Sequence, residues 1–238
     1  MLRIFMYFSE KLIEGRLIKR YNRFLADVEL RSGDKITAHC PNSGSMKSCM
    51  EPGWKVMLSD HDNPKRKYRH TWEMVHNGAC WIGINTGVPN RIAEEAIKAG
   101  EISELTGYQE INREKKYGRN SRIDLLLVKP GQTCFVEVKN VTLVESDGCY
   151  YFPDSVTERG RKHLNELMMM IDAGHRAVML FIVQRNDGKY FRPAAHIDPQ
   201  YAETLRAAHR HGVEILVYRA EVLPEKIELA EAVAWRLD

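Results

Sequence analysis

The chain has 238 residues, 44% of them hydrophobic and 28% charged. That is enough for one large or two small domains with a full apolar core, and it excludes a disordered, collagen-like or disulfide-framework protein. Lys plus Arg number 35 against 32 Asp plus Glu, a net charge of +3, so no global field announces a polyanionic partner. The first residues, MLRIFMYFSEK, are apolar but interrupted by Arg3, and they read as a strand rather than a signal peptide. Residues 1–85 hold 14 basic and 9 acidic side chains. They run in short β-type stretches (12–18, 24–30, 35–40, 54–59, 68–75 and 79–84) punctuated by Ser32-Gly33-Asp34 and Glu51-Pro52-Gly53. Short strands at regular spacing predict a small barrel or sandwich, and an oligonucleotide-binding (OB) barrel and an SH3-like barrel both fit.

After Asn85 the pattern alternates helix and strand, with 21 basic and 23 acidic residues over 86–238. Helices are predicted over 91–99, 155–173 and 199–211, the second opened by a Ser155–Glu158 capping box and closed by Gly174. Strands are predicted over 121–128, 133–141, 177–183 and 213–218, with 177–183 apolar throughout, as a strand covered on both faces would be. The tail 220–238 reads as a terminal helical cover. Strands mixed with crossover helices predict an α/β domain. No apolar run reaches the ~20 residues of a membrane helix. The five cysteines (Cys40, Cys49, Cys80, Cys134, Cys149) show no CxxC pair and read as reduced thiols of a cytoplasmic protein.

The most informative segment is the hairpin around Lys129-Pro130-Gly131-Gln132. Asp124 sits in one apolar strand, Glu137 and Lys139 in the next. Side chains alternate along a strand, so Glu137 and Lys139 share a face. With Pro130 and Gly131 central in the turn and no bulge, paired residue numbers sum to 261, and Asp124 stands opposite Glu137, with Cβ atoms ~4.5–5.5 Å apart. Two facing carboxylates in an apolar sheet repel unless a positive charge lies between them. A hard divalent cation, Mg²⁺ or Mn²⁺, answers that need, and Lys139 alongside adds a counter-charge for a phosphate and a group to hold or deprotonate water. A structural Asp/Glu/Lys cluster at a sheet edge is the competing reading.

An Asp on one hairpin strand and Glu-x-Lys on the next resembles the PD-(D/E)xK nuclease core. Longer stretches resemble the sugar fermentation stimulation protein A (SfsA) family over nearly the whole chain. They include His39-Cys40-Pro41-Asn42-Ser43-Gly44, Ser121-Arg122-Ile123-Asp124, Glu137-Val138-Lys139-Asn140-Val141-Thr142-Leu143, Tyr151-Phe152-Pro153-Asp154 and Thr157-Glu158-Arg159-Gly160. The resemblance implies an α+β two-domain fold: an N-terminal OB-type β-barrel (1–85) that binds nucleic acid, then an α/β PD-(D/E)xK nuclease-like domain with a mixed sheet (86–238). It also implies DNA binding without strong sequence preference and a regulatory role in sugar (maltose) metabolism. In such cores the main-chain carbonyl of Val138 joins Asp124 and Glu137 as a metal ligand, Lys139 is catalytic, and a Glu of the preceding helix often completes the site. Glu94 and Glu95 are the candidates here, and Glu95 stands nearer the apolar arc.

Candidate DNA contacts are two basic runs and one helix face. Lys65, Arg66, Lys67, Tyr68 and Arg69 offer charge and a stacking ring in a barrel loop, with Arg23 among further basic residues near the N-terminus. Arg113, Lys115, Lys116, Arg119 and Arg122 lead straight into Asp124. Arg159 and His163, four apart on one helix face with Lys162 adjacent, reach a phosphate or position a water, unless His163 is a core histidine. Gln184 either bonds an active-site group or satisfies backbone at a strand end. DNA is the expected partner, with RNA left open. His39, Cys40, Cys49 and His61 fit no zinc spacing. No serine-hydrolase elbow, P-loop or dinucleotide fingerprint occurs. Two functions follow: a metal-dependent nuclease, or a DNA-binding regulatory protein with an unused pocket.

Overall fold

The computed structural model describes residues 6–8, 10–118 and 121–238. The expected N-terminal strand lies mostly outside them, as does Arg119. A short strand, β1 (Met6–Tyr7), precedes the strands β2 (Ile13–Tyr21), β3 (Leu25–Leu30), β4 (Lys35–His39), β5 (Lys55–Asp60), β6 (His70–His76) and β7 (Trp81–Gly83). Strands β2 to β6 close into a barrel, because β4, beside β3, also pairs with β6 at His39–Thr71, while β7 extends β6. The inward positions of the alternating strands (Leu17, Ala26, Val28, Ala38, Val56, Leu58, Trp72) fill its core. Closure removes the free edges that short strands would expose.

Helix α1 (Val88–Ala99) follows, then β8 (Glu110–Tyr117), β9 (Ser121–Lys129), β10 (Gln132–Val141), β11 (Leu143–Val144) and β12 (Cys149–Phe152). The chain continues with α2 (Glu158–Asp172), β13 (Arg176–Val183), β14 (Tyr190–Pro193), α3 (Pro199–Arg210), β15 (Glu214–Val222) and β16 (Lys226–Ala232). The described strands form a mixed sheet in the order β1-β16-β15-β13-β10-β9-β8, parallel at β10–β13 and β13–β15, and a small sheet β11-β12-β14. One face of the large sheet packs on α1 through Ile92, Ala93, Ala96 and Ile97. The other packs on α2 and α3 through Leu164, Leu167, Tyr201 and Leu205. Strand β13 is buried from Ala177 to Val183, as a run covered on both faces must be.

Two expectations need correction. The tail is no helical cover: β15 runs on to Val222, and Lys226–Ala232 returns antiparallel, with Ile227 and Leu229 facing the core. The period-2 alternation of that short segment prevails over its helix-favouring Glu and Ala content. Helix α2 begins at Glu158, not Ser155. Thr157 caps it by accepting the Gly160 N–H at 3.0 Å, because the chain stays extended through Pro153.

The barrel and the α/β domain are tied by polar bonds. Arg185, 3% exposed, donates from Nη1 to the Thr142 carbonyl (2.6 Å) and to Ser48 Oγ (3.0 Å), and grips Asp187 with Nε and Nη2 (2.6 and 2.7 Å). Asp187 in turn accepts from Asn77 of the barrel. Gln184 donates to the Gly83 carbonyl and to Asn140 Oδ1, so it satisfies barrel backbone and reaches the cleft only through Asn140.

Candidate active site

The hairpin Pro130-Gly131 sets the register of β9 and β10, with Gly131 left-handed at φ 76°. Pairing runs from Gln132–Lys129 to Val136–Leu125 and stops there. At the next rung the strands part. Asp124 does not face Glu137 across a ladder pair; its Oδ2 instead accepts the Val138 N–H at 2.8 Å. Glu114, alongside Asp124 on β8, has φ 53°, so the neighbouring strand is wrenched at the same level. N–H and C=O of one strand residue point the same way, so the Val138 carbonyl is turned into the same gap.

Asp124 Oδ1 accepts from Asn90 of α1 at 2.8 Å. Glu137, 1% exposed, lies on the α2 side. Its Oε1 accepts from Lys139 Nζ at 2.6 Å and contacts His163 Nδ1. Arg159 Nε donates to His163 Nε2 at 3.3 Å, which leaves Nδ1 facing Glu137 Oε1 and, at 3.3 Å, Lys139 Nζ. Glu137 Oε2 is buried without a partner.

The electrostatics follow from that layout. Burial, and after it the charge of Glu137, pushes the Asp124 carboxyl above its ordinary value, against the pull of Lys139 and two hydrogen bonds. Burial pushes Glu137 up as well, but Lys139 and His163 outweigh it and hold that carboxyl below the usual range. Two acids driven apart in this way, beside an orphaned carboxylate oxygen, make a site short of positive charge. A hard cation would fit it, and Asp124, Glu137 Oε2 and the Val138 carbonyl are the groups that would hold it. Among the described residues no group of three or more His, Cys, Asp or Glu side chains converges as a metal cage, so main chain, water or substrate must complete any such shell.

Asp124, Glu137, Val138 and Lys139 line one cleft of 530 Å³ with Arg23, Arg159 and His163. The other sequence candidates lie elsewhere. Glu95 is half-buried and does not line the cleft; α1 reaches it through Asn90, five residues earlier and about 140° round the helix at 100° per residue. Glu94 pairs with Lys98 and Arg113. Lys116 and Arg122 face each other as exposed rungs of β8 and β9. Lys162 lines a separate depression with Glu158 and Glu166. Lys65, Arg66, Lys67, Tyr68 and Arg69 stay on the barrel loop between β5 and β6. There Arg69 is held by Asp60 (2.5 and 2.7 Å), Arg66 donates to Thr71, and Lys67 sits over the Tyr68 ring.

Sequence reasoning passed over Asn90, Thr86 and the segments 42–44 and 153–157, which also line the cleft. Asn90 adjoins Arg91 in the same helix as Glu95, but an uncharged amide gives no signal there. The Asn42-Ser43-Gly44 and Pro153-Asp154 stretches were visible as family-like strings without a role.

A closed OB-type barrel followed by a mixed α/β sheet whose hairpin bears Asp and Glu-x-Lys defines a protein built of an OB-type barrel and an α/β domain. Comparison with known proteins narrows this. Residues 18–84 match the family model "SfsA N-terminal OB domain", and residues 87–226 match "Sugar fermentation stimulation protein RE domain". The chain is 56% identical over 226 residues to the sugar fermentation stimulation protein homolog of Geotalea uraniireducens, covering 95% of this chain and 97% of that one. It is 54% identical over 237 residues to the Shewanella baltica homolog (98% and 100%). The solved SfsA of Pyrococcus furiosus, described as in complex with Ca²⁺, superposes with a TM-score of 0.88 at 26% identity over 99% and 100% of the two chains. The chain belongs to the SfsA family.

Proposed function

We propose that this protein is a Mg²⁺- or Mn²⁺-dependent nuclease that hydrolyses DNA phosphodiesters with little sequence preference, acting in the cytoplasm. The observation that carries it is the meeting of Asp124, Glu137 and Lys139 in one cleft, with Glu137 Oε2 left without a partner. The Ca²⁺ of the Pyrococcus furiosus relative supports a divalent cation, and five unpaired, buried cysteines suit a reducing compartment. A bound cation supplies Lewis-acid polarisation of the phosphoryl oxygen. The chain's own groups do the rest. Asn90 and the Val138 N–H orient Asp124, and His163 orients Glu137. Lys139 holds the attacking water and offsets charge developing on the phosphate, while Arg23 and Arg159 anchor the phosphates on either side. The barrel and its basic loop at 65–69 add affinity for DNA independent of base sequence.

Asp124→Ala tests this reading. Mg²⁺-dependent cleavage disappears in the variant while DNA binding persists. If the purified wild type cuts no DNA with Mg²⁺ or Mn²⁺, the protein is instead a non-catalytic DNA-binding regulator of sugar (maltose) metabolism.

A further inference from the structure

The cleft's shape bears on which form of DNA enters it. At 530 Å³ it is the size of a pocket for one small-molecule ligand, ~300–1,000 Å³. Its barrel side is spanned from wall to wall by the loop 41–46. Beside α1, Asn42 Nδ2 donates to the Ile84 carbonyl (3.2 Å) and Thr86 Oγ1 to the Pro41 carbonyl (2.6 Å). At the other wall, Met46 N donates to Asp154 Oδ2 (3.0 Å), and a Cβ on Gly44 would stand 2.4 Å from that same carboxylate. Arg20 fixes the span from behind, donating to the carbonyls of Arg23, Asn42 and Gly44 at 2.8, 2.8 and 3.0 Å. With Arg185 locking the two domains at Ser48 and Thr142, the span is part of the wall and no flap.

A duplex is a stiff rod with a persistence length of about 150 bp. To bring a phosphate to the deeply buried Glu137 from the barrel side it would have to break this set of bonds. One unpaired strand turns at every nucleotide and needs no such opening. Phe24, next in sequence to cleft-lining Arg23, is 51% exposed, and Val156, which lines the cleft, is 66% exposed. The tight turn between β2 and β3 that carries Arg23 and Phe24 holds Asn22 and Arg23 at φ 49° and 60°, left-handed values that such a hairpin calls for. Arginines for phosphates beside one exposed aromatic face for a base are the two halves of a single-strand site.

We propose that the substrate is unpaired DNA, either single strands or the single-stranded tails and flaps of duplexes, threaded past Arg23 and Arg159 with a base stacked on Phe24. The cutting step rests on the nuclease reading above; the strand preference rests on the cleft. Fluorescence anisotropy without divalent cation, at one fixed salt concentration, compares a labelled single strand with the blunt duplex of the same sequence. The single strand binds about tenfold or more tighter, and Phe24→Ala weakens it by about tenfold while leaving duplex affinity unchanged, as loss of one stacked base implies. With Mg²⁺ or Mn²⁺ added, cuts in a tailed duplex fall only in the tail. Equal affinities, an unaffected Phe24→Ala variant, or internal cuts in blunt duplex as fast as in single strand would overturn the proposal and leave the nuclease reading standing. If no substrate is cut, the nuclease reading fails, and the anisotropy result alone decides strand preference.

Discussion

Asp124 accepts the backbone N–H of Val138 at 2.8 Å, one rung beyond the last ladder pair of its hairpin. The carboxylate takes the place of a strand partner, and in doing so it opens the sheet where Glu137 begins to line the cleft. A charged group used as a strand plug holds its geometry without metal, yet it lies close enough to Glu137 for the two charges to repel.

That dual role gives the first prediction. Asp124→Asn keeps an oxygen for the Val138 N–H, donates its new N–H₂ to the Asn90 amide once that amide flips, and removes the repulsion. In the metal-free protein the variant melts at or above the wild-type temperature. Added Mn²⁺ raises the wild-type melting temperature, by the equivalent of about 2.7 kcal/mol at a hundredfold excess over the dissociation constant. The variant shows little or no such rise. Thermal melts with and without Mn²⁺ read both effects, and an equal metal response in the two proteins would remove Asp124 from the cation site.

Much of this was legible in the chain. The Pro130-Gly131 turn fixes the register as far as Val136–Leu125, and the apolar run at 177–183 announces a central strand. The parting of the strands at Asp124 was not legible, because it depends on a hydrogen bond from a residue fourteen positions away and on the left-handed Glu114 of a third strand. Asn90 was hidden for a similar reason: only the docking angle of α1 decides whether Asn90 or Glu95 meets Asp124. The basic runs misled in part, since charge in sequence does not say which face it lands on. Lys116, Arg122 and Lys162 lie off the cleft, whereas Arg23 lines it.

A second prediction concerns Arg185, whose guanidinium joins Ser48 of the barrel to Thr142 and Asp187 of the α/β domain. Arg185→Ala removes a buried guanidinium from a half-buried Asp187 and leaves the Thr142 carbonyl without its donor, at a cost of about 1–3 kcal/mol. Denaturant unfolding then shows a lower midpoint, with barrel and α/β signals no longer coincident. An unchanged, single transition would mean that the domains are joined without Arg185, by the Gln184–Gly83, Asn77–Asp187 and Met46–Asp154 bonds and apolar contact.

A third prediction follows from the barrel histidines. Burial first, then Arg66 and His61, lowers His39 below its ordinary value. Burial also lowers His70, aided by Arg69 and His61 and opposed by Asp60. A group whose folded value is depressed leaves stability intact above its unfolded value, about 6.5 for histidine, and withdraws it as the pH falls toward the folded value. The melting temperature therefore drops between about pH 7 and pH 5. The drop is smaller in a His39→Gln/His70→Gln double variant, and identical profiles for the two proteins would contradict the assignment.

The fourth prediction tests the span across the cleft. A methyl group on Gly44 would meet the Asp154 carboxylate at 2.4 Å, and that carboxylate cannot retreat without releasing the Met46 N–H. Gly44→Ala therefore destabilises by about 1–3 kcal/mol, the usual cost of overpacking. Asp154→Ala loses the bond to Met46 but leaves room, so the double variant Gly44→Ala/Asp154→Ala is more stable than the sum of the single effects, with a coupling energy of about 0.5 kcal/mol or more. Denaturant melts of the four proteins measure the cycle. Strict additivity would show that loop 41–46 does not bear on Asp154, and the cleft would then be open on its barrel side.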